Sequence, residues 1–246
     1  MARILHKALN AFRRWRAGLP PRGGVSPEVR NDLYQALLAL YVFAARYAAG
    51  RRVLVLGCGT GYGGAPLAAA GAAEVVGLDP DGRSLAYARK RFAPLSGKIR
   101  FVQGSAEAPP ADLGTFGLIV AFDLLPQLED PVSVLEQAAR HLDPDGVFVA
   151  SVPPIVAEHE MEERRRSEPH RLSLYLWNWE SLLRRRFKEV RIYGAFPPDG
   201  ARLDLADPSP SRLSAEGFRF EEVAADRPDS AGSLSAVLVG RRILTP

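Results

Sequence analysis

Five short runs rich in β-branched and aliphatic residues punctuate the middle of the chain: Arg52–Leu56, Glu74–Leu78, Ile99–Gln103, Leu118–Phe122 and Val147–Val152. Between them, near Gly64–Ala70, Gly82–Phe92 and Pro131–Leu142, apolar residues recur at helical spacing. Strands alternating with helices of this length predict parallel βαβ units with helices on both faces of the sheet. After Val152 the pattern changes. Pro153–Leu172 reads as charged and irregular, Trp179–Phe187 as a helix, and Glu189–Phe196 and Leu234–Arg242 as strands. Pro197–Ser233 is rich in Pro, Asp and Ser. Upstream, Ile4, Leu5, Ala8, Leu9, Phe12 and Trp15 form the apolar stripe of an amphipathic helix. A second helix is expected from Ser26-Pro27-Glu28 to about Ala49, with Gly50 as its stop.

Among the 246 residues, 47% are hydrophobic and 24% charged, so intrinsic disorder and fibrous repeats are excluded. The single cysteine, Cys58, excludes an intrachain disulfide and a cysteine-built zinc site. No apolar run reaches the ~20 residues of a membrane span. Met1–Gly18 lacks the continuous apolar core of a secretory signal, so a cytoplasmic location is expected.

The net charge of +4 is unevenly placed. Arg3, Lys7, Arg13, Arg14, Arg16, Arg22 and Arg30 face one acid, Glu28, in the first thirty residues, and the remainder holds 25 basic and 27 acidic residues. A body at −2 is not a basic platform, so nucleic acid is not the favoured partner. The amphipathic stripe instead needs an apolar partner, either the pocket below it or a second subunit in a homodimer.

Val53–Leu56 runs into Gly57-Cys58-Gly59-Thr60-Gly61-Tyr62-Gly63-Gly64, a buried strand entering a glycine turn and then a helix. In a doubly wound sheet, ligands sit outside the carboxyl ends of such strands. The second strand ends at Asp79-Pro80, where a carboxylate can accept both hydroxyls of an adenosine ribose. Gly59, Gly61 and Gly64 also satisfy the dinucleotide spacing, with Asp79 twenty residues beyond Gly59. The loop therefore indicates an adenosine-containing cofactor without saying which.

The motifs downstream resolve that ambiguity. The glycine loop, Gly77-Leu78-Asp79-Pro80, Phe101–Glu107, Phe116–Leu125, Leu128-Glu129-Asp130-Pro131, Leu142–Gly146 and Ser151-Val152-Pro153 occur in the order found in the class I S-adenosylmethionine-dependent methyltransferases. The likeness covers about residues 33–196 and resembles the small-molecule and glycan branch of that family.

The resemblance implies a Rossmann-like α/β domain at 51–246 with a doubly wound, seven-stranded sheet. That sheet is mostly parallel and closed by an antiparallel C-terminal pair. Residues 1–50 would form a helical lid, and 153–186 and 197–233 caps on the substrate side. The implied cofactor is S-adenosylmethionine. Gly57, Cys58, Gly59, Gly61 and Tyr62 would meet it, with Asp79 and Pro80 at the ribose. Ser105, Ala106 and Glu107 would lie at the adenine and Phe122 at the end of the fourth strand. Gln127, His159, Tyr175 and Trp177 are the candidate acceptor-side residues, and His170 the candidate base.

Three positions depart from the family pattern. Val55 stands where an acid usually precedes the loop, Ser105 where Asp is common, and Pro126-Gln127 where Glu-His is common. Methyl transfer from a sulfonium is an in-line displacement, so positioning dominates, and a base is required only if the acceptor must lose a proton. No metal is expected, because Glu158-His159-Glu160 lacks the i, i+4 pairing of a helical zinc site. The rival readings are a nicotinamide oxidoreductase, a non-catalytic nucleotide-binding module, and an RNA methyltransferase using the basic N-terminal helix.

Overall fold

The computed structural model describes residues 28–167, 172–205, 207–226 and 233–244. The stripe from Ile4 to Trp15, the Ser26 cap and His170 lie outside them. The helices are α1 (Asp32–Ala45), α2 (Gly64–Ala69), α3 (Gly82–Arg91), α4 (Pro131–His141), α5 (Glu158–Ser167) and α6 (Leu176–Arg184). The strands are β1 (Arg52–Leu56), β2 (Glu74–Asp79), β3 (Ile99–Gln103), β4 (Phe116–Ala121), β5 (Leu142–Val152), β6 (Phe187–Phe196), β7 (Arg219–Glu222) and β8 (Ser235–Ile243).

They form one sheet in the order β3-β2-β1-β4-β5-β8-β6-β7. The first five strands are parallel, and β8 runs antiparallel to both β5 and β6. Residues Val53 to Leu56 are each at most 2% exposed. Side chains alternate across a strand. Val53 and Val55 therefore pack with Phe43, Leu67 and Leu85 on one face, while Leu54 and Leu56 pack with Leu135, Leu176 and Trp179 on the other. Helices on both faces explain why β1 reads as an unbroken apolar run rather than an alternating one.

The structure corrects several sequence expectations. The sheet has eight strands among the described residues, not seven, because β7 adds to the edge by pairing antiparallel with β6. Phe220 of β7 packs its ring 4.5 Å from Phe43, while Arg219 and Glu221 put charge on the exposed edge. A charged, four-residue edge strand resists further pairing, and inside a Pro- and Ser-rich stretch its alternation is too short to stand out. Helix α1 starts at Asp32, because the Asn31 side chain caps it by accepting from the Tyr34 N–H. It ends at Ala45 rather than near Ala49.

Helix α5 lies in the stretch read as irregular. Glu160 anchors its start by accepting from the Val156 and Ala157 N–H groups, and Met161 is buried. Helix α6 begins three residues earlier than expected, where Asn178 accepts from the Tyr175 N–H. Strand β5 extends back to Leu142, which pairs with Phe116 before the ladder shifts and resumes at Leu118 and Val147.

The connection between β6 and β7 is laced onto the start of α1. Asp32 accepts from the Asp204 N–H at 3.0 Å and from the Ser211 hydroxyl. Asn31 donates to the Asp207 carbonyl, the Ser211 N–H donates to the Arg30 carbonyl, and Gln35 accepts from the Ala215 N–H. Ala215 and Phe218 close a small apolar cluster with Ala39.

Candidate functional site

The chain reverses its winding between β1 and β4, so their carboxyl ends open the crevice where doubly wound folds take ligands. The turn leaving β1 carries Gly57, Gly59 and Gly61, all at positive φ. Gly59 and Gly61 need glycine for different reasons. At Gly59 the left-handed turn points the N–H at the Asp79 carboxylate, 2.8 Å away. At Gly61 a Cβ would sit 2.7 Å from the Phe101 ring and 2.8 Å from Ala88 Cβ. Phe101 also fills the space over Gly77, so the loop, β2 and β3 close on one aromatic ring.

Asp79 ends β2 and clamps two segments. One carboxylate oxygen accepts from the Gly59 N–H and the other from the Asp81 N–H, both at 2.8 Å. Burial pushes its carboxyl above the ordinary range. The two N–H donors pull it back only in part, and the charge of Asp81 pushes the same way as burial. Each oxygen keeps a second lone pair for a ligand hydroxyl. Pro80 beside it is exposed, and its carbonyl accepts from the Gln103 side chain.

Ser105 accepts from the Glu107 N–H at 3.2 Å, shaping the turn after β3. Ala106 is buried in the core, and Glu107 is half-buried. Cys58 is buried at 4% exposure, and desolvation raises its thiol pKa far above the ordinary value, with the Asp79 charge adding to the effect. It is an inert packing group under the loop.

Aromatic rings from α1 roof the loop. Tyr62 lies 5.5 Å from Tyr34 and 5.4 Å from Tyr41, and Tyr41 stands edge-on to Phe122 at 4.9 Å. Burial raises the Tyr41 hydroxyl pKa, and the charges of Cys58, Asp123 and Asp79 push it further. The Tyr62 hydroxyl is raised mainly by burial, then by Tyr41 and Asp123.

The acceptor-side candidates divide. Tyr175 and Trp177 stack at 4.2 Å with planes 10° apart, and Trp177 is exposed. The main chain around them is tied to the segments that follow β4 and β5, through Leu172 N–H to the Pro126 carbonyl and Leu176 N–H to the Ile155 carbonyl. Gln127 turns its amide back onto the Asp123 carbonyl. His159 is an exposed residue of α5. Sequence reasoning did not single out Asp123 or Ser151. Asp123 sits just past β4 at φ +53, and its N–H donates to the Ser151 hydroxyl, which is fully buried. The only signal in the sequence was an acid immediately after a buried strand.

Residues 53–146 match the family model described as a methyltransferase domain. A ubiquinone biosynthesis O-methyltransferase of Aromatoleum aromaticum is 34% identical over 106 residues, covering 42% of this chain and 45% of that protein. The chain thus spans under half the length of the curated relatives it matches. An S-adenosylmethionine-dependent methyltransferase from Thermotoga maritima superposes with a TM-score of 0.63 at 18% identity, covering 98% of both chains. The magnesium protoporphyrin IX methyltransferase of Synechocystis, solved with bound S-adenosylhomocysteine, superposes at 0.58 with 15% identity, over 95% of this chain and 93% of that one. Residues 53–146 thus match a methyltransferase domain, and with its sheet order and glycine loop the chain has the fold of the class I S-adenosylmethionine-dependent methyltransferases.

Proposed function

We propose that this protein transfers a methyl group from S-adenosylmethionine to an oxygen or nitrogen atom of a small, flat acceptor. The observation that carries the reading is the clamp between the glycine loop and Asp79, whose carboxylate stands at the β2 end with lone pairs left for a ribose diol. The donor set fits the cofactor. Asp79 suits the ribose, the turn Ser105–Glu107 suits the adenine edge, and the rings of Tyr41, Tyr62 and Phe122 suit a sulfonium through their π faces. The bound cofactor supplies an activated methyl group, so the chain's work is to bind, orient and exclude water.

Helix α1 and the segment that laces it, with the N-terminal residues before them, act as the lid. The stacked pair Tyr175 and Trp177 forms the acceptor wall, which favours an aromatic ring over a saturated sugar. The ubiquinone relatives support oxygen as the methylated atom. His170 keeps its place as the candidate base, and His159 as an acceptor-side residue on α5.

Ligand-dependent thermal shift with S-adenosylmethionine, S-adenosylhomocysteine and NAD tests the cofactor reading. Stabilisation by the first two and not by NAD is the expected result. Stabilisation by NAD alone would move the protein to the oxidoreductases.

A further inference from the structure

The start of α1 meets α3 at one side of the crevice roof. The Tyr87 hydroxyl on α3 donates to the Glu28 carboxylate at 3.3 Å, which brings the residues entering α1 against that helix. Arg91 follows Tyr87 by one helical turn and so stands on the same side of α3. Arg30 lies two residues past Glu28. The Asn31 side chain accepts from the Tyr34 N–H at 3.0 Å and fixes the first turn of α1. Tyr34 in turn packs 5.5 Å from Tyr62 on the glycine loop. One patch beside the crevice thus gathers Arg30, Tyr34, Tyr87 and Arg91.

The charges of this patch are unbalanced. Neither Arg30 nor Arg91 forms an ion pair among the described residues, and the Arg91 guanidinium lies 5.9 Å over the Phe92 ring. A guanidinium over a ring keeps its N–H edges for an acceptor. The acid of the patch, Glu28, accepts from Tyr87. Tyr34 is 7% exposed, yet its hydroxyl has no hydrogen-bond partner among the described residues. A buried phenol hydroxyl normally has one. Burial raises the Tyr34 hydroxyl pKa, and the charges of Arg30 and Arg91 pull it back in part. The hydroxyl is therefore a neutral donor within the field of two cations. The N-terminus of α1, a helix of 14 residues, adds partial positive charge. The acid in its first turn, Asp32, is turned to the Asp204 N–H and the Ser211 hydroxyl.

We propose that Arg30, Tyr34 and Arg91 form an oxyanion site at the seam between α1 and α3, filled by a phosphate or carboxylate group. Two guanidiniums and a phenol bring N–H and O–H donors to one place, the donor set that recognises an oxyanion. None of the three is a residue assigned above to ribose, adenine or acceptor. An occupant would bond to both elements at once and fasten the roof of the crevice to α3.

Calorimetric titration of the protein with inorganic phosphate, at ionic strength held constant with sodium chloride, tests the assignment without any cofactor. Arg91→Gln removes one charge-assisted contact and should weaken phosphate binding roughly ten- to a hundredfold. Tyr34→Phe keeps the ring and should weaken it about threefold to tenfold. Arg140→Gln, at an exposed position on α4, should bind as the parent does. Benzoate in place of phosphate tells a carboxylate-bearing ligand from a phosphate-bearing one, and the same dependence on Arg91 is expected of whichever binds. Absence of binding by both anions overturns the assignment. So does parent-like affinity in Arg91→Gln, or an equal loss in Arg140→Gln, which would mark a diffuse effect of charge.

Discussion

Asp79→Asn is the most informative single change, because the side chain keeps its shape and loses only charge and one acceptor. In the structure both carboxylate oxygens accept from backbone N–H groups, Gly59 on one side and Asp81 on the other. An amide can satisfy one of these and must turn its NH2 towards the other, placing donor against donor. A hydrogen bond to a charged group contributes about 1.5–3 kcal/mol, so one such loss is expected. Burial works in the opposite direction. The Asp79 carboxyl is raised by desolvation, so removing the charge recovers part of that cost. The net loss of stability should therefore fall near about 1 kcal/mol, or about 2–4 °C of Tm for a chain of this size. Affinity for S-adenosylhomocysteine has no such offset, because a ribose diol needs acceptors, and should drop about ten- to a hundredfold. Scanning calorimetry and isothermal titration on the same preparation separate the two effects. A variant that keeps its Tm within a degree and its affinity within twofold would refute the clamp and the ribose assignment together. A variant with normal Tm but weak binding would refute the clamp alone.

Gly63→Ala should cost about 1–3 kcal/mol in denaturant unfolding. Its φ of −69° suits alanine, but the new Cβ would lie 2.2 Å from the Tyr41 ring, which has no free space to retreat into; a stability change below about 0.5 kcal/mol would show that Tyr41 moves freely. Glu74→Gln tests the ion pairs joining β1, β2 and β3. Burial alone would raise the Glu74 carboxyl, but hydrogen bonds and charge from Arg100 and Arg52 outweigh it and hold the pKa below the ordinary value. Stability from this group is thus present above the unfolded value of about 4.3 and is lost as pH falls through the lower folded value. All three side chains are partly solvated, so the substitution should cost less than about 1 kcal/mol at pH 7 and flatten the acid limb of a stability-versus-pH curve. Asp32→Ala removes the acceptor of both the Asp204 N–H and the Ser211 hydroxyl, and should speed proteolytic cleavage within 198–217 before global unfolding; unchanged cleavage would show that the lacing is not what holds this segment.

The parts of the fold that were legible in sequence are those decided by local chemistry. Val53–Leu56 could only be a doubly covered strand, and the glycines and Asp79 that follow it stand where the turn and clamp require them. What escaped detection depends on distant partners. Strand β7 exists because Phe220 finds Phe43, some 177 residues away in sequence, and nothing in Arg219–Glu222 announces that. Helix α5 has little apolar periodicity to read, with Met161 its buried anchor. Asp123 looks like an ordinary loop acid until Ser151, on the neighbouring strand, is seen to hold its N–H. Gln127 is an acceptor-side candidate in the sequence, and a bond only four residues long commits its exposed amide to the Asp123 carbonyl.

The lacing of α1 by the β6–β7 connection has a consequence for how the protein is made. The bonds that seat the start of this helix span 172 to 180 positions along the chain. At about 5–20 residues per second, a ribosome delivers those partners roughly 9–36 s after the residues they bind. Through that interval the strands from β1 to β5 can pair in order of synthesis, while the roof of the crevice still lacks its fastening. The newborn molecule thus passes through a stage with its sheet half built and its aromatic roof unsecured, and the ligand crevice takes final shape only after the β6–β7 connection has been made.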